Sequence, residues 1–229
     1  MVPDQCFRLN LELTHKQNIE MPMKDYSQYG ESKLLYDIFE IIGTENKYVV
    51  EFGASDGYWL SNARLFIELG WDSLQMDGIK ASQNGVKFEL ITMENVNEIF
   101  KKYNVPQKID LLSIDIDGND YWVWKELTCE SNVVVIEYNS NFNVDESYAL
   151  KYNPSHDFNK SGGFYSASVK ALVKLGHDKG YFLHKETSHT NLIFVNNNFK
   201  DKLTELDYTT LKLPVRDHGG KILEKFVEV

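Results

Sequence analysis

The stretch Val49-Val50-Glu51-Phe52-Gly53-Ala54-Ser55-Asp56-Gly57 runs from an apolar segment straight into a glycine-rich turn. Gly53 and Gly57 let the backbone approach a ligand closely. A helix after the turn would aim its N-terminal N–H groups and positive dipole end at the same place. The natural occupant is an anionic or carboxylate-bearing small molecule. A second acidic residue, Asp77, closes the run Ser73-Leu74-Gln75-Met76-Asp77. It follows the turn by about twenty positions, the spacing at which a carboxylate accepts both hydroxyls of a ribose.

Two further groups of acids follow. Alternation within 110–118 puts Ser113, Asp115 and Asp117 on one face and Leu112, Ile114 and Ile116 on the other. Carboxylates two residues apart on a strand lie about 6.6 Å apart, and at an effective dielectric near 20 they repel by roughly 2.5 kcal/mol. A folded chain must offset this with a cation, with backbone N–H donors or with a proton. In 132–139, Glu137 and Asn139 share a face at the C-terminal end. Polar groups at the ends of successive parallel strands converge on the crevice where open α/β sheets bind ligands.

The elements that must position these residues follow from pattern. Leu34, Leu35, Ile38, Phe39 and Ile42 repeat at helical spacing and stop at Gly43. The first strand, 48–52, is apolar except for Glu51, as suits a strand covered on both faces. A helix over 61–69 and a strand over 73–77 complete a β-α-β unit. The segment 86–93 reads as a third strand after an abbreviated crossover, and 94–103 as a helix ended by Pro106. Strands at 110–118 and 132–139 flank a helix beginning at Asp120, which carries Trp122 and Trp124. The polar stretch 140–163, with His156, Asp157, Gly162 and Gly163, is a long loop of the kind that serves as a lid or substrate segment. A helix over 166–175 precedes strands at 181–183 and 192–195, close enough in sequence to pair as an antiparallel hairpin. The expected fold class is α/β, a mostly parallel seven-stranded sheet with a C-terminal antiparallel hairpin and helices on both faces. Residues 1–26 read as an irregular arm, 27–198 as the domain, and 199–229 as a charged peripheral tail.

Length and composition bound the function. The chain has 229 residues, of which 42% are hydrophobic, enough for one substantial core. A net charge of -10 argues against gripping nucleic-acid backbone nonspecifically. Cys6 and Cys129 are too few for a disulfide framework and lack metal-site spacing, which points to a reducing compartment. No apolar run reaches the roughly 18 residues of a membrane span, and the first residues lack the apolar segment of a signal peptide. These observations set the expectation of a cytoplasmic protein with no membrane partner.

Taken together, the run Val50 through Gly57, the Ser61-Asn62 pair, the Asp110 to Trp124 segment and Glu137-Tyr138-Asn139 make the chain resemble class I S-adenosylmethionine-dependent methyltransferases, and more narrowly the FkbM-like enzymes. The resemblance spans residues 28–198. It departs from the FkbM-like pattern at Asp115-Ile116-Asp117-Gly118, where those enzymes often read Asp-Val-Glu-Gly, and at Met76-Asp77-Gly78. It implies a Rossmann-like methyltransferase fold with S-adenosylmethionine as cofactor. Glu51, Gly53, Ala54, Ser55 and Gly57 would line its methionine part, and Asn62 would hold its carboxylate. Asp77 would take the ribose, Glu94 or Asn95 would sit beside the adenine, and Asp115 would complete the cofactor site. The acceptor would be a hydroxyl on a small molecule, with Asp117 and His156 as candidate bases. Some relatives use a divalent cation, and Asp115, Asp117, Glu137 and Asn139 offer the hard oxygens that Mg2+ prefers.

Other readings are a nucleic-acid base or cap methyltransferase, a non-catalytic binding module, and a nicotinamide-dependent enzyme. The first is opposed by the acidic balance and by the lack of an Asn-Pro-Pro-Tyr-like motif, of which Asn153-Pro154-Ser155-His156 is only a faint echo. The intact turn and Asp77 oppose decay to a binding module. The first turn lacks the Gly-x-Gly-x-x-Gly of nicotinamide enzymes. Homo-oligomerisation stays open.

Overall fold

The computed structural model of the protein describes residues 23–78, 84–161, 164–214 and 222–229. Most of the expected N-terminal arm lies outside these residues. The elements in chain order are α1 (Glu31–Ile42), β1 (Tyr48–Phe52), α2 (Arg64–Glu68), β2 (Asp72–Asp77), β3 (Lys87–Phe88), α3 (Val96–Lys102), β4 (Lys108–Ile114) and α4 (Asp120–Glu126). They continue with β5 (Glu130–Glu137), β6 (Tyr148–Leu150), α5 (Phe158–Ser161), α6 (Val169–Asp178), β7 (Tyr181–Thr187), β8 (Asn191–Asn196), α7 (Ile222–Lys225) and β9 (Phe226–Glu228).

Seven strands form one sheet in the order β3-β2-β1-β4-β5-β8-β7. β3, β2, β1, β4 and β5 pair in parallel, whereas β8 is antiparallel to both β5 and β7. This is the expected Rossmann-like α/β sheet closed by an antiparallel hairpin. Chain order reverses between β1 and β4, so the crevice outside their C-terminal ends is the place where such sheets take ligands.

Strand alternation sorts the core into two layers. Val50, Phe52, Leu74, Met76, Leu112, Ile114, Val134 and Ile136 pack with Val96, Ile99 and Phe100 of α3, Val123 and Trp124 of α4, and Leu172 and Leu175 of α6. On the other face Val49, Leu111, Val133 and Val135 pack with Leu35, Ile38, Phe39 and Ile42 of α1 and Phe66 of α2. The chain leaves α1 at Gly43, whose left-handed φ of 81° accompanies an N–H bond to the Phe39 carbonyl at 2.8 Å. Among the described residues no helix is long and apolar enough to cross a membrane.

Four expectations need correction. The third strand was expected over 86–93 but occupies Lys87–Phe88 alone. It is an edge strand with only the last two residues of β2 to pair with, and Phe88 and Leu90 are exposed while Val86 and Ile91 are buried. The fourth strand was expected to run to Gly118 and stops at Ile114. The Asp120 carboxylate accepts Ile116 N at 2.8 Å and Gly118 N at 2.9 Å, which folds 116–118 into a turn with Asp117 at φ 56°. Alternation therefore does not place Asp115 and Asp117 on one strand face. The loop 140–163 contains β6, and the far end of the charged tail supplies β9 as its antiparallel partner. Phe226 is buried there with Phe142 and Leu150.

Candidate functional site

The β1 turn is built around Glu51. Its buried carboxylate accepts Ser61 Oγ at 2.7 Å, Gln75 Nε2 at 2.7 Å, Asn62 N at 2.7 Å and Ala63 N at 3.2 Å. The backbone donors are the ones exposed just ahead of α2, so the acid anchors that helix to the sheet. Burial raises the Glu51 pKa even against these four donors. The side chain expected to line a ligand is therefore spent on holding the turn in shape.

Gly53 is required by the neighbouring strand. A Cβ at this position would sit 1.6 Å from the Asp115 carbonyl oxygen. The next residues bridge to β2: Ala54 N donates to the Met76 carbonyl at 3.0 Å, and Ser55 N donates to Asp77 Oδ2 at 2.8 Å. Ser55 and Gly57 both adopt left-handed backbone, at φ 47° and 79°. Asp77 is thereby fixed at the end of β2, directly beside the turn. Asn62 Nδ2 donates to Ser113 Oγ at 3.1 Å, and its buried Oδ1 has no hydrogen-bond partner among the described residues.

The two residues expected near an adenine lie on the loop into α3 and are engaged locally. Glu94 accepts a hydrogen bond from the Tyr152 hydroxyl. Asn95 Oδ1 accepts Thr92 N at 2.8 Å while its Nδ2 donates to the Leu90 carbonyl at 2.9 Å.

At the ends of β4 and β5 the structure gathers three carboxylates. Asp115, Asp120 and Glu137 offer oxygens that all lie within 4.8 Å of one another. At that separation and an effective dielectric near 20, each charged pair repels by about 3.5 kcal/mol. Burial first, then Asp120, Asp117 and Glu51, hold the Asp115 pKa well above the usual carboxylate range. Burial, then Asp115, Asp120 and Asp117, do the same to Glu137. Asp120 is pushed up to about 6 by burial, against the Ile116 and Gly118 N–H donors. Glu137 Oε2 is sealed from solvent with no hydrogen-bond partner among the described residues.

Of the four oxygen donors suggested by sequence, Asp115 and Glu137 belong to this group. Asp117 and Asn139 do not. Asn139 is committed to its loop: its Oδ1 accepts Asn141 N at 3.1 Å and its Nδ2 donates to the Tyr165 carbonyl at 3.0 Å. Asp120, read from sequence only as the start of a helix, takes their place. Its place in the sequence, five residues after Asp115, carried no signal of this, because its carboxylate turns back to the Ile116 and Gly118 N–H groups of the preceding turn.

Beside the group lies a cavity of about 260 Å³, with Asp117, Glu137, His189, Tyr165, Gln28 and Phe158 in its walls. Partial enclosure raises the Asp117 pKa, opposed by the charge of His156 and reinforced by that of Asp77. His156 does not face the cavity. Its ring lies against Gly118, where a Cβ would come within 2.2 Å of the imidazole, and Nε2 bonds the Asp117 carbonyl oxygen at 3.0 Å. Gln28, Tyr165 and His189 come from the chain before α1, the segment before α6 and the β7–β8 turn, a convergence that no local spacing records.

No protein-family model matches the chain, and no curated protein matches it. Among solved structures the chain is similar to the N-terminal domain of EvdMO1 with SAH bound, at 12% identity over 72% of this chain and 80% of that one, with a TM-score of 0.45. It is also similar to a S-adenosylmethionine-dependent methyltransferase from Clostridium acetobutylicum, at 9% identity over 83% and 99%, with a TM-score of 0.41. A SAM dependent methyltransferase from Archaeoglobus fulgidus aligns at 15% identity over 68% and 72%, with a TM-score of 0.36. At these values the likenesses say nothing about what the chain binds.

Proposed function

We propose that the chain is an S-adenosylmethionine-dependent methyltransferase acting on a hydroxyl of a small molecule. The observation that carries this reading is the bond from Ser55 N to Asp77 Oδ2, which joins the ends of β1 and β2 next to the reversal of chain order between β1 and β4. It sets an acid at the end of β2 against a turn of left-handed residues at the end of β1, which is where a nucleoside ribose meets such a sheet. The donor set fits this cofactor. Asp115, Asp117 and Glu137 gather at the strand ends, and no lysine or arginine among the described residues forms an ion pair with any of these three. Such a crevice favours a sulfonium and an ammonium over a pyrophosphate.

When bound, the cofactor supplies an electrophilic methyl group. The residues of the chain then have two tasks, to position the acceptor and to take its proton. The cavity beside the strand ends suits a small acceptor, and Asp117 in its wall is the proton acceptor of this reading, with His156 holding the Asp117 backbone. Methyl transfer to a hydroxyl is favoured through the resemblance of 50–57 and 110–124 to FkbM-like enzymes.

Calorimetric titration with S-adenosylhomocysteine, and separately with NAD, tests the proposal. Saturable binding of the first alone is expected. Asp77→Asn keeps an acceptor for Ser55 N but loses the second carboxylate oxygen, and is expected to weaken binding at least tenfold. A folded protein that binds no S-adenosylhomocysteine overturns the reading.

A further inference from the structure

We propose that Asn119 is a positioning residue, which sets Asp117 in the cavity wall by fastening the strap 150–156 onto the turn between β4 and α4. The task of Asp117 is that of the methyl-transfer reading, on which this inference rests. Strap and turn run in opposite directions and are joined by side chains. Trp122 Nε1 donates to the Leu150 carbonyl at 2.7 Å. Asn119 Nδ2 donates to the Asn153 carbonyl at 2.8 Å, and Asn119 Oδ1 accepts Asn153 N at 3.3 Å. His156 Nε2 bonds the Asp117 carbonyl oxygen at 3.0 Å. Positions 122, 119 and 117 of the turn thus meet 150, 153 and 156 of the strap in order.

Asn119 is the middle rung, and its side chain takes both backbone polar groups of one strap residue. It is itself buried, so water competes little for these bonds. What depends on them is the backbone of Asp117, whose φ of 56° is one that a residue with a Cβ keeps only where its surroundings impose it. From one side the Asp120 carboxylate holds Ile116 N and Gly118 N. From the other side the His156 ring lies on Gly118 and bonds the Asp117 carbonyl, which it can do only while the strap is in place. The Tyr152 hydroxyl, donated to Glu94, pins the outer edge of the strap. Beyond it the chain enters α5, whose Phe158 also stands in the cavity wall. Tied at these points, 150–156 is a fixed wall of the acceptor cavity and not the lid that a long loop suggests.

The experiment is nuclear magnetic resonance on the full chain near neutral pH, with hydrogen exchange in 150–156 measured with and without S-adenosylhomocysteine. The parent is expected to hold His156 as the Nε2–H tautomer, because a carbonyl oxygen only accepts, and to keep its strap protection when the nucleoside binds. Asn119→Ala should release the imidazole to the tautomer mixture of a free histidine and move the Asp117 Cα chemical shift away from its left-handed value. It should also speed exchange of the Trp122 indole N–H at least tenfold. Asn119→Asp keeps the acceptor for Asn153 N and loses the donor, and should fall between the two. Gly118→Ala, whose Cβ would come within 2.2 Å of the His156 ring, should move the His156 and Asp117 signals without touching Asn119, and serves in its place if Asn119→Ala does not fold. An asparagine that merely adds stability would lower Tm and leave the His156 and Asp117 signals parental in the folded variant, which overturns the proposal. Loss of strap protection on adding S-adenosylhomocysteine overturns it too, by making the segment a lid. A folded parent that binds no S-adenosylhomocysteine removes the methyl-transfer reading, whereas a parent that binds it, beside a variant with parental signals, removes this inference alone.

Discussion

Glu51 and Gln75 stand opposite each other across β1 and β2, and Gln75 Nε2 donates to Glu51 Oε2 at 2.7 Å. The pair ties the start of α2 to the middle of the sheet, because the same carboxylate also takes Ser61 Oγ and the N–H groups of Asn62 and Ala63. Glu51→Ala would strand these donors in a buried place, at a cost of roughly 3 kcal/mol or more. Glu51→Gln keeps one acceptor oxygen and should cost about half as much. Urea unfolding read by circular dichroism distinguishes the two, and equal stabilities would contradict the arrangement.

The same residue sets a pH dependence. Burial raises its folded pKa above the ordinary 4.5, so the unfolded chain gives up this proton first as pH rises. Its contribution to stability is complete below pH 4.5 and is lost as pH climbs through the folded value. Unfolding curves from pH 4.5 upward should show parental stability falling relative to Glu51→Gln. A constant difference between the two would show that Glu51 titrates normally.

Gly53 and Gly180 make a matched test of why a glycine is present. Both have positive φ, 73° and 86°. A Cβ at Gly53 would lie 1.6 Å from the Asp115 carbonyl oxygen, whereas at Gly180 nothing lies within 4 Å. Gly180→Ala should cost only the left-handed penalty, about 1–2 kcal/mol. Gly53→Ala must push β4 away from β1 and should lower Tm far more or prevent folding. Similar melting temperatures for the two variants would contradict the close approach.

The contrast between Glu51 and Asp120 shows what the sequence discloses. The order of strands and helices was readable because Val49, Val50 and Phe52, or Leu35, Ile38 and Ile42, repeat with the periods of their elements. Glu51 was noticed because it interrupts an apolar strand, but its four donors come from residues 61–63 and 75, so its structural task was not. The carboxylate group was half legible. Asp115 and Glu137 announced themselves as acids at strand ends, but Asp120 joined them only because its bonds to Ile116 and Gly118 N–H end β4 early. Alternation rules assume a continuing strand, and a side chain that bends the backbone breaks that assumption. The pairing of β6 with β9 joins residues about eighty positions apart, beyond any local pattern.

Cys129 should be a slow thiol. Burial first, then Glu130, push its pKa up to about 12, and Sγ lies 3.4 Å from the Pro106 carbonyl oxygen. The thiolate is the reactive form, so at pH 8 only about one molecule in ten thousand would be reactive. With Cys6→Ser removing the other thiol, iodoacetamide labelling at pH 8 should be orders of magnitude slower than for a free cysteine, and should accelerate on unfolding in urea. Labelling at the free-thiol rate in the native protein would mean that this side chain is not enclosed.

Phe226 anchors the small sheet formed by β6 and β9. It is 1% exposed and meets Phe142 edge-on at 4.9 Å between ring centres. It belongs to a cluster separate from the two layers on the main sheet. Removing such a ring typically costs about 3 kcal/mol. Because the cluster stands apart, that loss should appear as local opening before it reaches the whole domain. The Val229 N–H, bonded to the Ser147 carbonyl at 3.0 Å, is the reporter. In Phe226→Ala its hydrogen exchange should quicken about a hundredfold, the equivalent of that energy, while amides of β4 keep their protection. Equal acceleration in β4 would instead make the C-terminal strand part of the main cooperative unit, and an unchanged Val229 rate would mean that Phe226 does not hold it in place.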